Sequence, residues 1–145
     1  DIVVLGLGCN DLKTRFALSP TEIAKGCKLL IEDIKRSGCG PDGKCPDIVL
    51  ISPPQVNFID SVHEDFGPDR RARSLATIEA YKELAESEHL AGFVSLADVP
   101  VAGDGLHFDE EQSKTIGAML AEKVSSVLGA SQPETNAPKK LKTDA

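Results

Sequence analysis

The sequence is poor in aromatic side chains, with no tryptophan, one tyrosine and five phenylalanines among 145 residues. A surface that stacks nucleic-acid bases needs several aromatic rings, so we expect no such surface. Basic residues are also in deficit, because 16 lysines and arginines stand against 23 acidic residues, a formal net charge of −7. A nucleic acid or an anionic membrane would select a basic surface, so neither is expected as a partner.

Long hydrophobic runs are missing as well. No apolar stretch approaches the roughly 18 residues of a membrane-spanning helix, and no signal peptide is recognised, so we expect no membrane span. Apolar residues still make up 41% of the chain, enough for one globular domain with a buried core. We place this domain at residues 1–128. Residues 129–145 offer almost nothing to bury and predict a disordered tail.

The four cysteines, Cys9, Cys27, Cys39 and Cys45, do not have the spacing of a zinc site, because no C-x-x-C pair is present. We expect four free thiols in a reducing compartment and therefore a cytoplasmic protein. An alternative stays open, because Cys39 and Cys45 flank a Gly/Pro/Asp loop and could pair if the protein were exported.

Strand and helix signals alternate along the chain. Continuous apolar runs at residues 2–7, 47–52 and 92–96 are typical of strands buried on both faces. Capping boxes predict two helix starts, at Ser19 with Glu22 and at Asp109 with Gln112, and Gly38 ends the first helix. Helices are therefore predicted from residue 20, over about 68–88 and over 109–128. Their expected inner faces include Ile23, Leu30, Ile31, Ile34, Leu75, Ile78, Leu84, Ile116, Met119, Leu120, Val124 and Val127.

This β-α-β-α-β-α order predicts a flavodoxin-like, three-layer α/β/α sandwich with a parallel sheet. Ligands of such sheets bind at the carboxyl ends of the strands. The loops after the first and third strands leave from that edge, so Asn10 should meet the loop that carries His107. The long irregular stretch 55–67 should shape the same pocket. His63 within it is expected to be solvated, and His89 lies at a helix end.

Two short motifs could carry chemistry. Asp104 precedes His107 by three residues with Gly105 between them, so its carboxylate can bind one imidazole nitrogen while the other accepts a proton. Asn10 could aim a neutral amide donor at a developing oxyanion. The plainer alternatives are a surface histidine and a turn made by Asn10 and Asp11. A dinucleotide-binding loop is excluded, because Asp11 occupies the third glycine position and would repel a pyrophosphate.

A strand ending in Gly8, Asn10 and Asp11, followed by Asp104 and His107 before the last helix, resembles the SGNH (GDSL) hydrolase family. The likeness is nearest to its small arylesterase/acyltransferase branch and covers about residues 1–128. It implies that Asn10 is the oxyanion donor, His107 the general base and Asp104 the carboxylate that orients His107. It also implies a small ester as substrate and no metal or cofactor.

The chain departs from that family at the nucleophile. It has no Gly-Asp-Ser motif and no second-block glycine, and none of its serines at positions 19, 52, 61, 74 and 95 has that context. Ser52 ends a strand, but Pro53 follows it and has no amide for an oxyanion hole. We therefore interpret the chain as the C-terminal part of an SGNH-type hydrolase whose first strand is missing. A preceding segment or a second chain would supply the serine.

Two functions follow from this interpretation. The first is a serine ester hydrolase, either an esterase/lipase or an acyltransferase, in which this chain alone is inactive. The alternative is a non-catalytic α/β fragment or pseudoenzyme that binds a partner along an open sheet edge. The sequence does not decide whether the chain forms a homo-oligomer.

Overall fold

Three strands and three α-helices alternate along the chain in the computed structural model, which describes residues 1–57 and 65–130. The strands are β1 (Ile2–Leu5), β2 (Asp47–Ile51) and β3 (Gly92–Val94). The helices are α1 (Pro20–Ser37), α2 (Arg70–Ser87) and α3 (Glu110–Ala130). His63, Ser61 and the tail from residue 131 lie outside the described residues, so the expectations for them are not addressed.

The sheet is parallel, with the strand order β1-β2-β3. In its register Val4 lies opposite Val49, and Leu50 lies opposite Phe93. Each pair of neighbouring strands is joined through a helix, which is the connection that parallel pairing requires. The predicted parallel α/β architecture is confirmed.

The middle strand defines the layers, because its side chains alternate between two cores. Ile48 and Leu50 pack with residues of α1 and α2 in one hydrophobic cluster. Val49 and Ile51 pack on the other side with Val127 of α3. The sheet therefore lies between two helical layers, as the continuous apolar run of β2 predicts.

Local signals define the helix starts as expected. The Ser19 hydroxyl accepts a hydrogen bond from the Glu22 amide at 3.3 Å, and the Glu22 carboxylate accepts one from the Ser19 amide at 2.8 Å. At α3, the Gln112 amide donates to Asp109 at 3.2 Å and the Asp109 amide donates to the Gln112 side chain at 3.0 Å. Both capping boxes are confirmed, and α1 ends at the Gly38 cap.

Several details differ from the sequence-based expectation. β1 ends at Leu5 because the chain leaves the sheet at Gly6, and α3 continues through Gly129 to Ala130, which removes two residues from the predicted tail. Leu30 and Leu75, expected to face inward, are 40% and 37% exposed. Part of the buried face of α2 is formed by Ser74 and Thr77, whose hydroxyls donate to backbone carbonyls of the same helix. A pattern of apolar residues does not predict these two polar positions.

β1 forms one edge of the described sheet and pairs only with β2 within it. Val4 on this strand is 45% exposed, and Leu7 just beyond it is 56% exposed. Unpaired edges with apolar side chains are sites where another strand can add.

Two further observations concern membrane-spanning helices and the state of the cysteines. None of the described helices is long and apolar enough to cross a bilayer. All four cysteines are free thiols, with Cys39 and Cys45 exposed and Cys27 buried.

Candidate active site

The turn after β1 is built around Gly8. Its φ angle is +105°, and a β-carbon at this position would lie 2.2 Å from the Tyr81 hydroxyl oxygen. Only glycine satisfies both conditions. The turn leads into a short 3₁₀ helix, Asn10–Leu12, in which Leu12 is buried while Asn10 is exposed. The local sequence thus presents the Asn10 amide at the carboxyl edge of the sheet.

Asp104 and His107 form the expected pair. Asp104 Oδ2 lies 2.5 Å from His107 Nδ1. The other carboxylate oxygen, Oδ1, accepts hydrogen bonds from the backbone amides of Leu106 at 3.0 Å and His107 at 2.9 Å. The hydrogen bond from the His107 side chain, reinforced by these two amides, holds the pKa of the Asp104 carboxyl far below its usual range. Asp104 therefore stays ionised at neutral pH and can orient the imidazole and stabilise its protonated form.

The loop that carries this pair is fastened by backbone hydrogen bonds. The Ala102 amide donates to the His107 carbonyl at 2.7 Å, and the Asn57 amide donates to the Gly105 carbonyl at 2.9 Å. Leu106 is buried between the exposed ends of the motif. The His107 side chain itself is 70% exposed, so a substrate can reach it.

A cavity of about 850 Å³ opens at the same edge of the sheet. Asn10 and Asp11 line it, and so does Phe108, the residue that follows His107. Asp104 and His107 are not among its lining residues. The ends of β1 and of the loop after β3 therefore open on one cavity, with α1 and α3 forming its apolar walls through Ile23, Leu30, Ile116 and Leu120.

Comparison with solved structures decides what this arrangement resembles. A native aryl esterase from M. smegmatis matches with a TM-score of 0.77 at 26% identity over 88% of this chain. A carbohydrate acetylesterase from Sinorhizobium meliloti matches with a TM-score of 0.76 at 28% identity, also over 88%. The fold is that of the SGNH hydrolases. The resemblance found in the sequence is therefore confirmed.

The match is partial in one direction. The chain spans 61% of the length of each of these two esterases. No family model matches the sequence, and no curated protein matches it either. The likeness to SGNH hydrolases therefore comes from the three-dimensional structure and from the short motifs around Asn10 and His107.

In this SGNH-type fold the hydroxyls of Ser19, Ser52 and Ser74 hydrogen-bond to backbone groups. The buried Ser52 hydroxyl donates to the Pro53 carbonyl at 3.0 Å and accepts from the Leu96 amide at 2.8 Å, linking the ends of β2 and β3. Ser74, also buried, accepts from the Val56 amide at 3.0 Å. Ser19 caps α1. The role of Ser52 in linking the strands agrees with the sequence-based expectation that Ser52, which Pro53 follows, is not the nucleophile.

Cys9, next to Asn10, also has a side chain that could attack a carbonyl. It lines the cavity, but burial raises the pKa of its thiol to about 11. The thiolate is the reactive form, so at neutral pH almost all of this side chain is in the unreactive state.

Tyr81, which no motif of the sequence marks, is 1% exposed and donates a hydrogen bond to the Leu7 carbonyl at 3.2 Å. Tyr81 lies 74 residues from Leu7 along the chain, so no local pattern reports the contact. Within the described residues, no group of three or more His, Cys, Asp or Glu side chains could hold a metal ion.

Proposed function

We propose that this chain provides the acid–base pair and an oxyanion donor of an SGNH-type serine ester hydrolase. The observation that carries the proposal is the Asp104–His107 pair, fixed by three hydrogen bonds and followed directly by Phe108, which lines the same cavity as Asn10. An esterase fold among the matching structures supports the same reaction class.

Each residue has one role in this proposal. His107 accepts the proton of a serine hydroxyl as its oxygen attacks the ester carbonyl, and Asp104 stabilises the imidazolium that forms. Asn10 donates to the oxyanion of the tetrahedral intermediate. Collapse of that intermediate expels the alcohol, which takes the proton from His107. Water or a second alcohol then removes the acyl group by the reverse sequence, giving hydrolysis or acyl transfer.

The serine itself is proposed to come from outside the 145 residues, either from a segment that precedes them or from a second chain. The sequence contains no Gly-Asp-Ser, and the buried hydroxyls of Ser52 and Ser74 are bonded to backbone groups. The exposed edge of β1, with Val4 and Leu7, is where such a segment could add to the sheet.

A small ester is the proposed substrate. The cavity is largely apolar, which suits an acyl or aryl group, and the matching structures are described as an aryl esterase and a carbohydrate acetylesterase. No cofactor takes part in the proposed steps. With free thiols throughout, a reducing cytoplasmic location is proposed as well.

Hydrolysis of p-nitrophenyl acetate tests the missing-nucleophile part. The chain alone should be no faster than its His107→Ala variant, whose loop keeps the Asp104 turn. His107-dependent turnover by the chain alone would show that it holds its own nucleophile.

A second measurement tests Asn10 in the protein that includes the serine segment. Asn10→Ala should lower kcat on the order of a hundredfold or more with an unchanged circular dichroism spectrum. An unchanged kcat would remove Asn10 from the oxyanion hole.

A non-catalytic binding domain is the alternative, favoured by the absent serine motif and by the apolar edge of β1. The parent gene separates the two possibilities. A Gly-Asp-Ser encoded upstream supports the enzyme, and its absence supports a pseudoenzyme that binds a partner or a second copy of itself along β1.

A further inference from the structure

The segment that carries Asn10 is attached to α2 at both of its ends. At the first end, the Tyr81 hydroxyl donates to the Leu7 carbonyl at 3.2 Å, directly before Gly8. The Tyr81 ring and the Cys27 side chain of α1 are buried in the same hydrophobic cluster, so packing from α1 also holds the ring. Tyr81 is 1% exposed, so its hydroxyl is shielded from water.

At the second end, Arg73 binds two carbonyls with its guanidinium fork. Its Nη1 donates to the Leu12 carbonyl at 3.0 Å, and its Nη2 donates to the Leu18 carbonyl at 3.0 Å. Leu12 is the last residue of the 3₁₀ helix that begins at Asn10. A planar guanidinium fixes direction as well as distance, which a lysine ammonium cannot do.

The two attachments belong to one face of α2. Arg73, Thr77 and Tyr81 follow each other at intervals of four, so their side chains lie in a row along the helix. The outer two are about 12 Å apart along the axis, since each residue rises 1.5 Å. A rigid helix therefore contacts the Asn10 segment at its start and at its end, while Asn10 between them opens into the cavity.

We propose that Tyr81 and Arg73 are positioning residues for Asn10, setting where its amide meets the oxyanion without touching the substrate. This inference rests on the role proposed for Asn10. An oxyanion donor must stay within about half an ångström of its productive position to stabilise the transition state. Loss of either attachment should therefore lower the rate of the chemical step, while the affinity for the substrate should change little.

Hydrogen exchange in this chain tests the attachment without any activity. The Leu12 amide donates to the Cys9 carbonyl and the Lys13 amide to the Asn10 carbonyl, so both report on the 3₁₀ helix. Tyr81→Phe keeps the ring, and Arg73→Lys keeps the charge. Each should speed exchange at these two amides about tenfold or more, while amides in α1 stay protected. Lys82→Gln, an exposed change on the same helix, is the matched control and should change neither.

Kinetics of the protein that includes the serine segment test the consequence. Tyr81→Phe should lower kcat about tenfold with KM within about twofold. In an Asn10→Ala background the same change should cost almost nothing further, because the group that it positions is gone. An equal loss in both backgrounds would assign Tyr81 a general structural role and overturn the inference.

The two proposals can fail separately. If Asn10→Ala leaves kcat unchanged, the catalytic role of Asn10 is overturned, and hydrogen exchange still decides whether α2 fixes the segment. If exchange at Leu12 and Lys13 is the same in wild type, Tyr81→Phe and Arg73→Lys, the attachment itself is overturned.

Discussion

Asp104 binds His107 twice, through a 2.5 Å contact between Oδ2 and the imidazole Nδ1 and through a 2.9 Å hydrogen bond from the His107 amide to Oδ1. One oxygen of the carboxylate therefore orients the ring while the other shapes the loop. This division makes it possible to change the first interaction and leave the second in place.

Asp104→Asn should do so, because the asparagine oxygen can still accept from the Leu106 and His107 amides while its NH₂ group faces Nδ1. An NH₂ donor there selects the imidazole tautomer whose other nitrogen already carries a proton, and this tautomer cannot act as a base. In the protein that includes the segment with the nucleophilic serine, we expect kcat to fall by a factor on the order of a hundred or more. Steady-state kinetics measure this. Asp98→Asn, on the exposed loop after β3, is the control, and equal rates for wild type and Asp104→Asn would contradict the assigned role.

Replacing His89 by glycine is expected to stabilise the fold. It follows α2 with φ of 51°, and the His89 and Leu90 amides donate to the Glu86 and Ala85 carbonyls, the pattern of a helix end that favours glycine. His89→Gly should raise the free energy of unfolding by about 0.5–1 kcal/mol. This gain is the left-handed strain that glycine relieves, reduced by the larger backbone entropy that glycine loses on folding. Urea denaturation measures it. His89→Ala keeps the strain and should bring no gain, and an equal rise in both variants would contradict the explanation.

The ion pairs of Glu88 are expected to make the stability of the fold depend on pH. Its carboxylate lies 2.6 Å from the Lys28 ammonium and 2.7 Å from that of Lys35, joining the end of α2 to α1. These hydrogen bonds lower the pKa of Glu88 from 4.5 to about 2. Because the folded pKa is the lower one, the stabilisation is present above pH 4.5 and is lost as the pH falls toward 2.

Thermal unfolding of wild type and Glu88→Gln at several pH values checks this expectation. The variant should be less stable near pH 7, and the difference should shrink between pH 4.5 and 2. Glu86→Gln, exposed on the same last turn, should show a smaller difference at every pH. A wild-type advantage that does not change with pH would refute the ion-pair explanation.

Features that arise within a few residues could be predicted from the sequence. The capping boxes at Ser19 and Asp109 join atoms three residues apart, and so does the Asp104–His107 pair. The buried strand β2 is likewise visible as a run of apolar residues. In each case the interaction depends on local spacing, which the order of residues already contains.

Other features depend on which elements pack together. Leu30 faces the cavity beside the edge of β1, and Leu75 lies outside the contact of α2 with the core, so an apolar pattern alone misplaced both. Ser52 is a link between strands because the Leu96 amide, 44 residues away, points at its hydroxyl. The partners of Tyr81 and Arg73 are similarly remote.

The sequence by itself determined the alternation of strands and helices, the helix caps and the chemistry of the Asp104–His107 pair, because each rests on neighbours along the chain. The tertiary structure alone decided that Asn10 and Phe108, the residue after His107, line one cavity and that α2 contacts the Asn10 segment at both ends. Those relationships need residues that are up to about a hundred positions apart. They exist only when a parallel sheet brings the carboxyl ends of its strands to one edge.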